Sequence, residues 1–417
     1  MPLTIIKTFV SRFLILFLSF GLVIYSTNMW GSEGKGTISI VIANAAAVSF
    51  FSSIFSGSST SYFASRFRIE KILLYAYLWS LFIGLLVPFL FSFASVQTEY
   101  LVDLIGISVF SSLLSTNISL FVGTQNIKRF NLYTVLQQLV HIIFIGLFVY
   151  VLNRKDVSVY FLAQIACLAL LFITSFFQII RKCDLSEVSF SKEVSRNMFE
   201  YGWKTQLSAF VQFLNYRLSF YFLEYFEGIS SVGIFSIGVT FSEAIWTITR
   251  SIAVVLYSDV VNSKSREESI EKTKSSIKLT VILMMVFVLG ILVIPSQVYI
   301  MIFGKEFKDT KEIMLLLSPG IFAIAVSDMA GHYFSGIREL KILNVKSIIG
   351  LIFTVVFSLI AIPRWGILGA CLATTSSYLV SAFLLFRKFY SATPFRIKDY
   401  MVSKEELQLL KDKLFKR

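Results

Sequence analysis

Apolar segments of about 20 residues follow one another along almost the whole chain, and they constrain its fold more than any other feature. A transmembrane α-helix needs roughly 20 consecutive apolar residues to cross about 30 Å of hydrocarbon. Hydrophobic residues occupy 56% of the 417 positions and charged residues only 15%, and the mean hydropathy is +0.76. A soluble domain could not cover so much apolar surface. The sequence therefore predicts an all-α integral membrane protein without a water-soluble catalytic domain.

The apolar segments predict twelve membrane spans. They are expected at 8–30, 37–57, 72–95, 100–123, 130–152, 157–180, 201–223, 232–257, 278–300, 312–336, 345–362 and 366–388. The longest connectors lie at 181–200 and 258–277, and the chain turns polar and basic after residue 388. We expect an N-terminal six-helix bundle (1–190), a C-terminal six-helix bundle (191–390) and a basic amphipathic tail (391–417).

Two short motifs recur in the same order and suggest an internal repeat. GTISI at 36–40 and GIFSI at 233–237 share G-x-x-S-I with an offset of 197. FVGTQNIKRFN at 121–131 and FSGIRELKILN at 334–344 share F-x-G-x4-K-x2-N with an offset of 213. A repeat of six spans preserves orientation, so the halves would be related by an axis along the membrane normal. Chance similarity between apolar segments is the alternative.

Lys and Arg lie mainly on one side of this predicted topology. If both termini are cytoplasmic, the cytoplasmic segments hold 28 of the 38 basic residues and the outer connectors hold 7. The other three are Lys204, Arg217 and Arg250, which fall inside spans, whereas basic residues at the cytoplasmic end of a span are counted with the adjoining segment. The positive-inside rule therefore predicts cytoplasmic termini. Because topology explains most of the net charge of +13, no nucleic-acid partner is expected.

Metal and cofactor chemistry find little support in the sequence. Three cysteines and two histidines are present, and none of them has metal-ligand spacing, so we predict no metal site and no cofactor. The G-x4-G-K-[ST] motif of ATP-binding loops is also absent from the sequence. No process driven by ATP is therefore expected of this chain.

Several stretches resemble the polysaccharide transporter family, the Wzx-type flippases of the multidrug/oligosaccharidyl-lipid/polysaccharide (MOP) superfamily. The most specific stretch is AIPRWGILGACLATTSSY at 361–378, which is close to the family pattern I-P-x-x-G-I-x-G-A. The others are GSEGKGTISI at 31–40, EYGWKTQLSAFVQFLNYRLSFYF at 200–222, MIFGKEF at 301–307 and LLLSPG at 315–320. Family members often carry a carboxylate late in the seventh helix, where this chain has Arg217.

The resemblance implies a MATE-like fold of two six-helix bundles around a central cavity. It implies a non-enzymatic flippase that carries undecaprenyl-pyrophosphate-linked oligosaccharide repeat units from the cytoplasmic to the outer leaflet, for O-antigen or capsule synthesis. The bacterial inner membrane, its lipids, a coupling proton or sodium ion, and polymerase or chain-length proteins are the implied location and partners.

One face of the predicted eighth span is polar along its length. Five residues with spacing i, i+4, i+7, i+11 and i+14 share this face: Ser236, Thr240, Glu243, Thr247 and Arg250. Because a charge at mid-bilayer costs roughly 2.5 kcal/mol or more, this face is interpreted as a wall of the transport cavity. A Glu243–Arg250 pair that only locks helices together is the alternative, although about 10 Å of helix axis separates the two.

The seventh span adds Lys204, Gln206 and Arg217. Gln206 and Arg217 are eleven residues apart and share a helical face. The guanidinium fork of arginine suits phosphate oxygens, whereas Lys204 at the span's end also suits a snorkelling role. With Thr247 and Arg250, these three are the predicted pyrophosphate- and sugar-binding residues.

Ion coupling is predicted at Glu243 and at Asp328 with His332. The last two are four residues apart on one face of the tenth span. Ionisable groups within a bilayer often form proton or cation relays. A polar contact between helices, of modest energy, is the alternative interpretation.

Three other functions fit the sequence less well. A MATE-type exporter of hydrophobic cations should have mainly carboxylates in its cavity, whereas the deep charges here lean basic. A major-facilitator transporter usually has Asp in the turn after its second helix, and GSSTSYFASRFRIEK at 57–71 has none. A membrane enzyme would need a nucleophile–base or metal constellation near an outer loop, and the sequence shows neither.

Overall fold

The computed structural model describes residues 3–93, 99–187, 191–339 and 341–394, with side chains from residue 11 onward except at positions 92, 185, 208, 242, 243 and 247. Regular structure in these ranges is helical, with no strand. The α-helices are α1 (Leu3–Ser56), α2 (Ser58–Ala64), α3 (Glu70–Ser92), α4 (Leu101–Gly123), α5 (Ile127–Gly146), α6 (Ser158–Ile180), α7 (Lys192–Glu227), α8 (Ile229–Val261), α9 (Arg266–Val293), α10 (Ser296–Phe303), α11 (Thr310–Gly336) and α12 (Lys341–Ala392). A π-helical turn, Leu147–Val151, extends α5. The predicted tail helix lies outside the described residues.

Glycine kinks divide the two longest helices. A straight helix of 54 residues, the length of α1, would measure roughly 80 Å, against about 30 Å of hydrocarbon. The backbone leaves helical geometry at Gly31 in α1 (φ 64°, ψ −164°) and at Gly366 in the 52-residue α12 (φ 53°, ψ −127°). Glycine adopts positive φ at little cost because it lacks a Cβ. The kinks fall where the sequence predicts the paired spans of each helix to meet.

The chain is a multi-pass membrane protein. Among the described residues, nine helices are long and apolar enough to cross a bilayer. The kinks would divide two of these helices into four spans. The 36-residue α7 is also long enough to span, although it carries eight charged residues. With two spans from each kinked helix and one from α7, the number of spans would be the predicted twelve, which stays a prediction.

The offsets of the sequence repeat recur in the backbone. Six residues with left-handed φ form three pairs at the two offsets that the motifs predict: Gly31 with Gly228 at 197, and Gln125 with Arg338 and Asn153 with Gly366 at 213. Each pair lies at a turn or kink between helices of its half. Such backbone conformations are uncommon outside glycine. Their recurrence at equivalent positions argues against chance similarity and supports two structurally equivalent halves.

Helix α9 begins earlier than the apolar pattern predicts, because a capping residue fixes its start. The predicted ninth span is 278–300, but α9 begins at Arg266, after Ser265, whose side chain accepts a hydrogen bond from the Glu268 amide. This is the Ser-x-x-Glu pattern of a capping box. Helix α9 ends at Val293, ahead of Pro295, which cannot continue a helix.

The chain forms two compact units, residues 1–213 and 214–417. The predicted boundary after residue 190 precedes α7, whereas the observed division falls within this helix. The first half of α7 packs inside the first unit, where Ser59 Oγ donates to the Met198 carbonyl at 2.9 Å and the Tyr62 and Tyr201 rings stack at 4.6 Å. The core of the second unit is formed by α8, α9, α11 and α12.

Candidate functional site

A buried hydrogen-bond network lies where the second half of α7 meets α12 in the second unit. Asn215 of α7 is 4% exposed. Its side-chain oxygen accepts hydrogen bonds from Thr354 Oγ1 at 2.5 Å and Ser377 Oγ at 2.9 Å, from the two sides of the α12 kink. Gly350 permits this close approach, since a Cβ there would lie 2.8 Å from Asn215 Nδ2. Buried polar groups satisfied in this way fix the three segments together.

A buried ion pair, Lys346–Asp328, continues this network between α12 and α11. Lys346 Nζ lies 3.4 Å from Asp328 Oδ1, and the two side chains are only 7% and 18% exposed. Lys346 precedes Gly350 by one turn, and Ser381 Oγ donates to the Lys346 carbonyl at 3.4 Å. Lys346 lies at the start of the predicted span 345–362 and was counted with the cytoplasmic segment before it, and the structure places it inside α12, which begins at Lys341. Buried charges in membrane proteins are typically paired and often functional.

His332 lies one turn from Asp328, as the sequence predicts, but it contacts the backbone. Its Nδ1 is 2.8 Å from the Asp328 carbonyl oxygen, which can only accept. Nδ1 therefore carries the proton in this contact. The carboxylate of Asp328 is engaged by Lys346 instead.

The ion pair is peculiar to the second unit. At the offset of 213, Lys346 corresponds to Tyr133 and Asp328 to Ser115, both uncharged. Tyr133 is 2% exposed, so the first unit buries an aromatic ring where the second buries an ammonium group. Because the two halves share a fold but differ in this charge, the pair is not a requirement of the fold itself.

Three aromatic rings from α7, α8 and α12 form a cluster beside this network. Tyr216 and Trp246 have centroids 4.8 Å apart, and Tyr378 lies 5.7 Å from each. Arg250 places its guanidinium 5.4 Å from the Trp246 ring, within cation–π range. Trp246 is 4% exposed, and its Nε1 has no hydrogen-bond partner among the described residues. The cluster therefore combines an exposed cation, aromatic faces and a buried donor.

Arg217 follows Tyr216 in α7 and is half-buried. Its guanidinium lies 5.2 Å from the Phe220 ring. It also has a further interaction within the protein. Arg217 and Arg250 thus belong to the same unit as the aromatic cluster and the ion pair.

The other residues predicted for the site lie in different parts of the chain. Lys204 and Gln206 belong to the first unit, where Lys204 is exposed and Gln206 Nε2 donates to Ser58 Oγ at 3.4 Å. Glu243 and Thr247 lie in α8, but their side chains are outside the described part of the structure. Among the described residues, no group of three or more His, Cys, Asp or Glu side chains could hold a metal ion.

Comparison with solved structures shows the fold. The chain superposes on the inward-facing conformation of a multidrug resistance MATE family transporter of the MOP superfamily, with a TM-score of 0.75, 16% identity, and coverage of 91% of this chain and 94% of the other. The lipid II flippase MurJ in its inward closed conformation gives a TM-score of 0.71 at 17% identity, covering 96% of this chain and 89% of that one. At these identities the likeness establishes the fold alone: a helical membrane protein with the architecture that these two structures share.

A family model matches the second part of the chain. Residues 259–408, a little over a third of the chain, match the family model described as "Polysaccharide biosynthesis protein". This match agrees with the resemblance of the sequence to the polysaccharide transporter family.

Two curated relatives match parts of the chain. "Uncharacterized membrane protein MJ1068" of Methanocaldococcus jannaschii is 20% identical over 248 residues, 57% of this chain and 48% of the relative. "Probable low-salt glycan biosynthesis flippase Agl15" of Haloferax volcanii is 25% identical over 175 residues, 38% of this chain and 37% of the relative. The matches therefore span less than half the length of these relatives.

Proposed function

We propose that this protein is a flippase that moves undecaprenyl-pyrophosphate-linked oligosaccharide repeat units from the cytoplasmic to the outer leaflet of a bacterial inner membrane, for O-antigen or capsule synthesis. The family match and the MOP-superfamily fold support transport of a lipid-linked glycan. The observation that carries the proposal is the combination of Arg217, Arg250 and the aromatic cluster in one unit.

Each part of this cluster suits one part of the proposed substrate. Arginine offers a planar fork of N–H donors that matches phosphate oxygens, so Arg217 and Arg250 would neutralise the pyrophosphate. Aromatic rings provide faces on which the C–H surface of a sugar packs, and Tyr216, the partly exposed ring of the cluster, would supply such a face. The buried Trp246 ring would hold the Arg250 guanidinium in place through their cation–π contact. Lys204, Gln206 and Thr247 would add polar contacts along the path.

Alternating access would be driven without ATP. Moving negative charge outward from a negative interior is favoured by roughly 2.3 kcal/mol per charge per 100 mV. Glu243 and Asp328, with His332, are the proposed groups for coupling to a proton or sodium ion. The contact between Asp328 and Lys346 would be the coupling element, because protonation of the carboxylate or binding of a cation to it would release the lysine.

The sidedness of the lipid-linked oligosaccharide in depleted cells tests the function. We expect the repeat unit to accumulate in the cytoplasmic leaflet when this protein is removed and to reach the outer leaflet when the wild-type chain is restored. Leaflet location can be measured by accessibility of the sugar to an impermeant glycosidase or lectin. Normal delivery to the outer leaflet in depleted cells would reject the flippase and favour a small-molecule exporter.

Arg250→Ala is expected to lower the transport rate at least about tenfold, while the protein still inserts into the membrane. The substitution removes an exposed guanidinium that lies over Trp246 and that would neutralise substrate phosphate; a hydrogen bond to a charged group contributes about 1.5–3 kcal/mol. The same glycan assay measures the effect, with protein level checked by immunoblot of membranes. Arg154→Ala, which removes an exposed arginine from a connector, is the matched control and should transport normally. Wild-type export by well-expressed Arg250→Ala would remove this residue from the proposed site.

A further inference from the structure

A groove of about 540 Å³ in the first unit lies away from the residues discussed so far. One wall is apolar and consists of α3 and α7 side chains that include Leu78, Phe82 and Phe199. The first turns of α7 close one end with Lys192 and Arg196. The groove therefore joins a hydrophobic surface to a pair of cations.

The apolar wall is exposed to the surroundings of the protein. Leu78, Phe82 and Phe199 are 50%, 54% and 42% exposed. Helix α3 is long and apolar enough to span a membrane, so we expect these exposed side chains to contact lipid chains. A ligand that fills this groove must present hydrocarbon to the wall.

The cationic end favours an anion at the same place. Lys192 and Arg196 lie in the first two turns of α7, where the helix dipole adds positive potential. The described contact of Arg196 with Glu200 uses Nε alone at 2.9 Å, one of five N–H donors of the guanidinium, and it is an exposed pair of low energy. Ser195, which also lines the groove, supplies a hydroxyl donor between the two cations.

We infer that this groove binds an anionic phospholipid of the surrounding bilayer. Its phosphate lies between Lys192 and Arg196, and an acyl chain lies along Leu78 and Phe82. Basic residues next to a membrane span attract anionic headgroups, and the apolar wall adds hydrophobic contact with the chain. This lipid is a bound component of the membrane and is distinct from the transported glycolipid.

Lipid binding to the full-length protein in detergent tests the inference. Purified protein is titrated with phosphatidylglycerol or with zwitterionic phosphatidylcholine, and bound lipid is counted by native mass spectrometry. We expect the wild type to prefer phosphatidylglycerol. The double variant Lys192→Gln/Arg196→Gln should lose roughly 30-fold in affinity, because each basic residue at a membrane surface contributes about a factor of five.

The matched control is Arg181→Gln/Lys182→Gln. It removes two cations from the connector just before α7 without altering the groove lining, so its phosphatidylglycerol affinity should equal that of the wild type. Phosphatidylglycerol binding that survives Lys192→Gln/Arg196→Gln would overturn the site, and so would equal affinity for phosphatidylcholine. Inorganic phosphate that displaces the lipid fully would also overturn it, since the apolar wall would then contribute nothing.

Discussion

Lys346→Met is expected to destabilise the protein by about 3–5 kcal/mol, the usual cost of breaking a buried ion pair from one side. The Asp328 carboxylate is only 18% exposed, and without the ammonium group 3.4 Å away it would remain as an uncompensated charge. A neutral methionine of similar length fills the space without supplying a counter-charge. Thermal unfolding of the purified protein in detergent, followed by size-exclusion chromatography, measures the loss.

A second variant and a control separate charge from packing. Lys346→Met/Asp328→Leu removes both charges and should recover most of the lost stability, because replacing a buried pair by apolar side chains is often neutral or stabilising. Lys388→Met removes the cation of a half-exposed pair, 3.8 Å from Glu339, and should change stability by less than about 1 kcal/mol. Equal losses for Lys346→Met and Lys388→Met would contradict the energetic importance of the buried pair.

The double variant Lys346→Met/Asp328→Leu also tests whether the ion pair takes part in ion coupling or only joins two helices. If Asp328 releases Lys346 during each transport cycle, the stable double variant should export little glycan and should lose its dependence on external pH. If the pair only joins α11 to α12, the double variant should export normally. Export at the wild-type rate, with unchanged pH dependence, would remove Asp328 from the proposed coupling group.

The fold was largely predictable because the length of the apolar segments and the glycines that interrupt them are local signals in the sequence. Gly31 and Gly366 mark the kinks, and a 20-residue apolar period leaves few other places for the chain to turn. A local signal that was present but unused explains why α9 begins before the predicted ninth span. Ser265 and Glu268 form a recognisable cap about a dozen residues before the predicted start of the ninth span.

The candidate site was less predictable because burial and pairing are tertiary properties. Asp328 was singled out from the sequence because a carboxylate in an apolar segment stands out, and its role in ion coupling stays a prediction. Lys346, at the start of the predicted span 345–362, was counted among the cytoplasmic basic residues, and basic residues near a span end often do snorkel to the headgroups. A signal was available: Ser347, Thr354 and Ser358 share one helical face with spacing i, i+7 and i+11, and all three are buried. Lys346 precedes Ser347 at the edge of this polar face.

Asn215 and Trp246 were missed for a related reason. A single asparagine or tryptophan in an apolar span is compatible with lipid, with an interhelical contact or with a ligand. Only the partners decide among these, and the partners of Asn215, Thr354 and Ser377, are 139 and 162 residues away in the sequence. Sequence patterns within one helix carry no information about such contacts.

Gly202→Ala is expected to have the other large effect, a loss of about 1–3 kcal/mol or more, with reduced accumulation in the membrane. A Cβ on Gly202 would overlap the Ile54 carbonyl oxygen and would lie 2.7 Å from the carbonyl carbon and 2.9 Å from Cα. These are backbone atoms of α1 in the same unit, so no side chain can rotate away and α7 must shift. Small residues where membrane helices approach closely serve this purpose.

Gly290→Ala is the matched control for this prediction. Gly290 lies inside α9, and a Cβ added there would have no atom within 4 Å, so the new methyl group meets open space. Replacing a helical glycine that has room should leave stability unchanged or raise it by about 0.4–1 kcal/mol, because alanine restricts the unfolded chain. Thermal unfolding and membrane yield of both variants, measured together, separate a packing clash from a general effect of losing glycine. If Gly202→Ala were as stable as Gly290→Ala, the close contact between α7 and α1 at Ile54 would not exist in the folded protein.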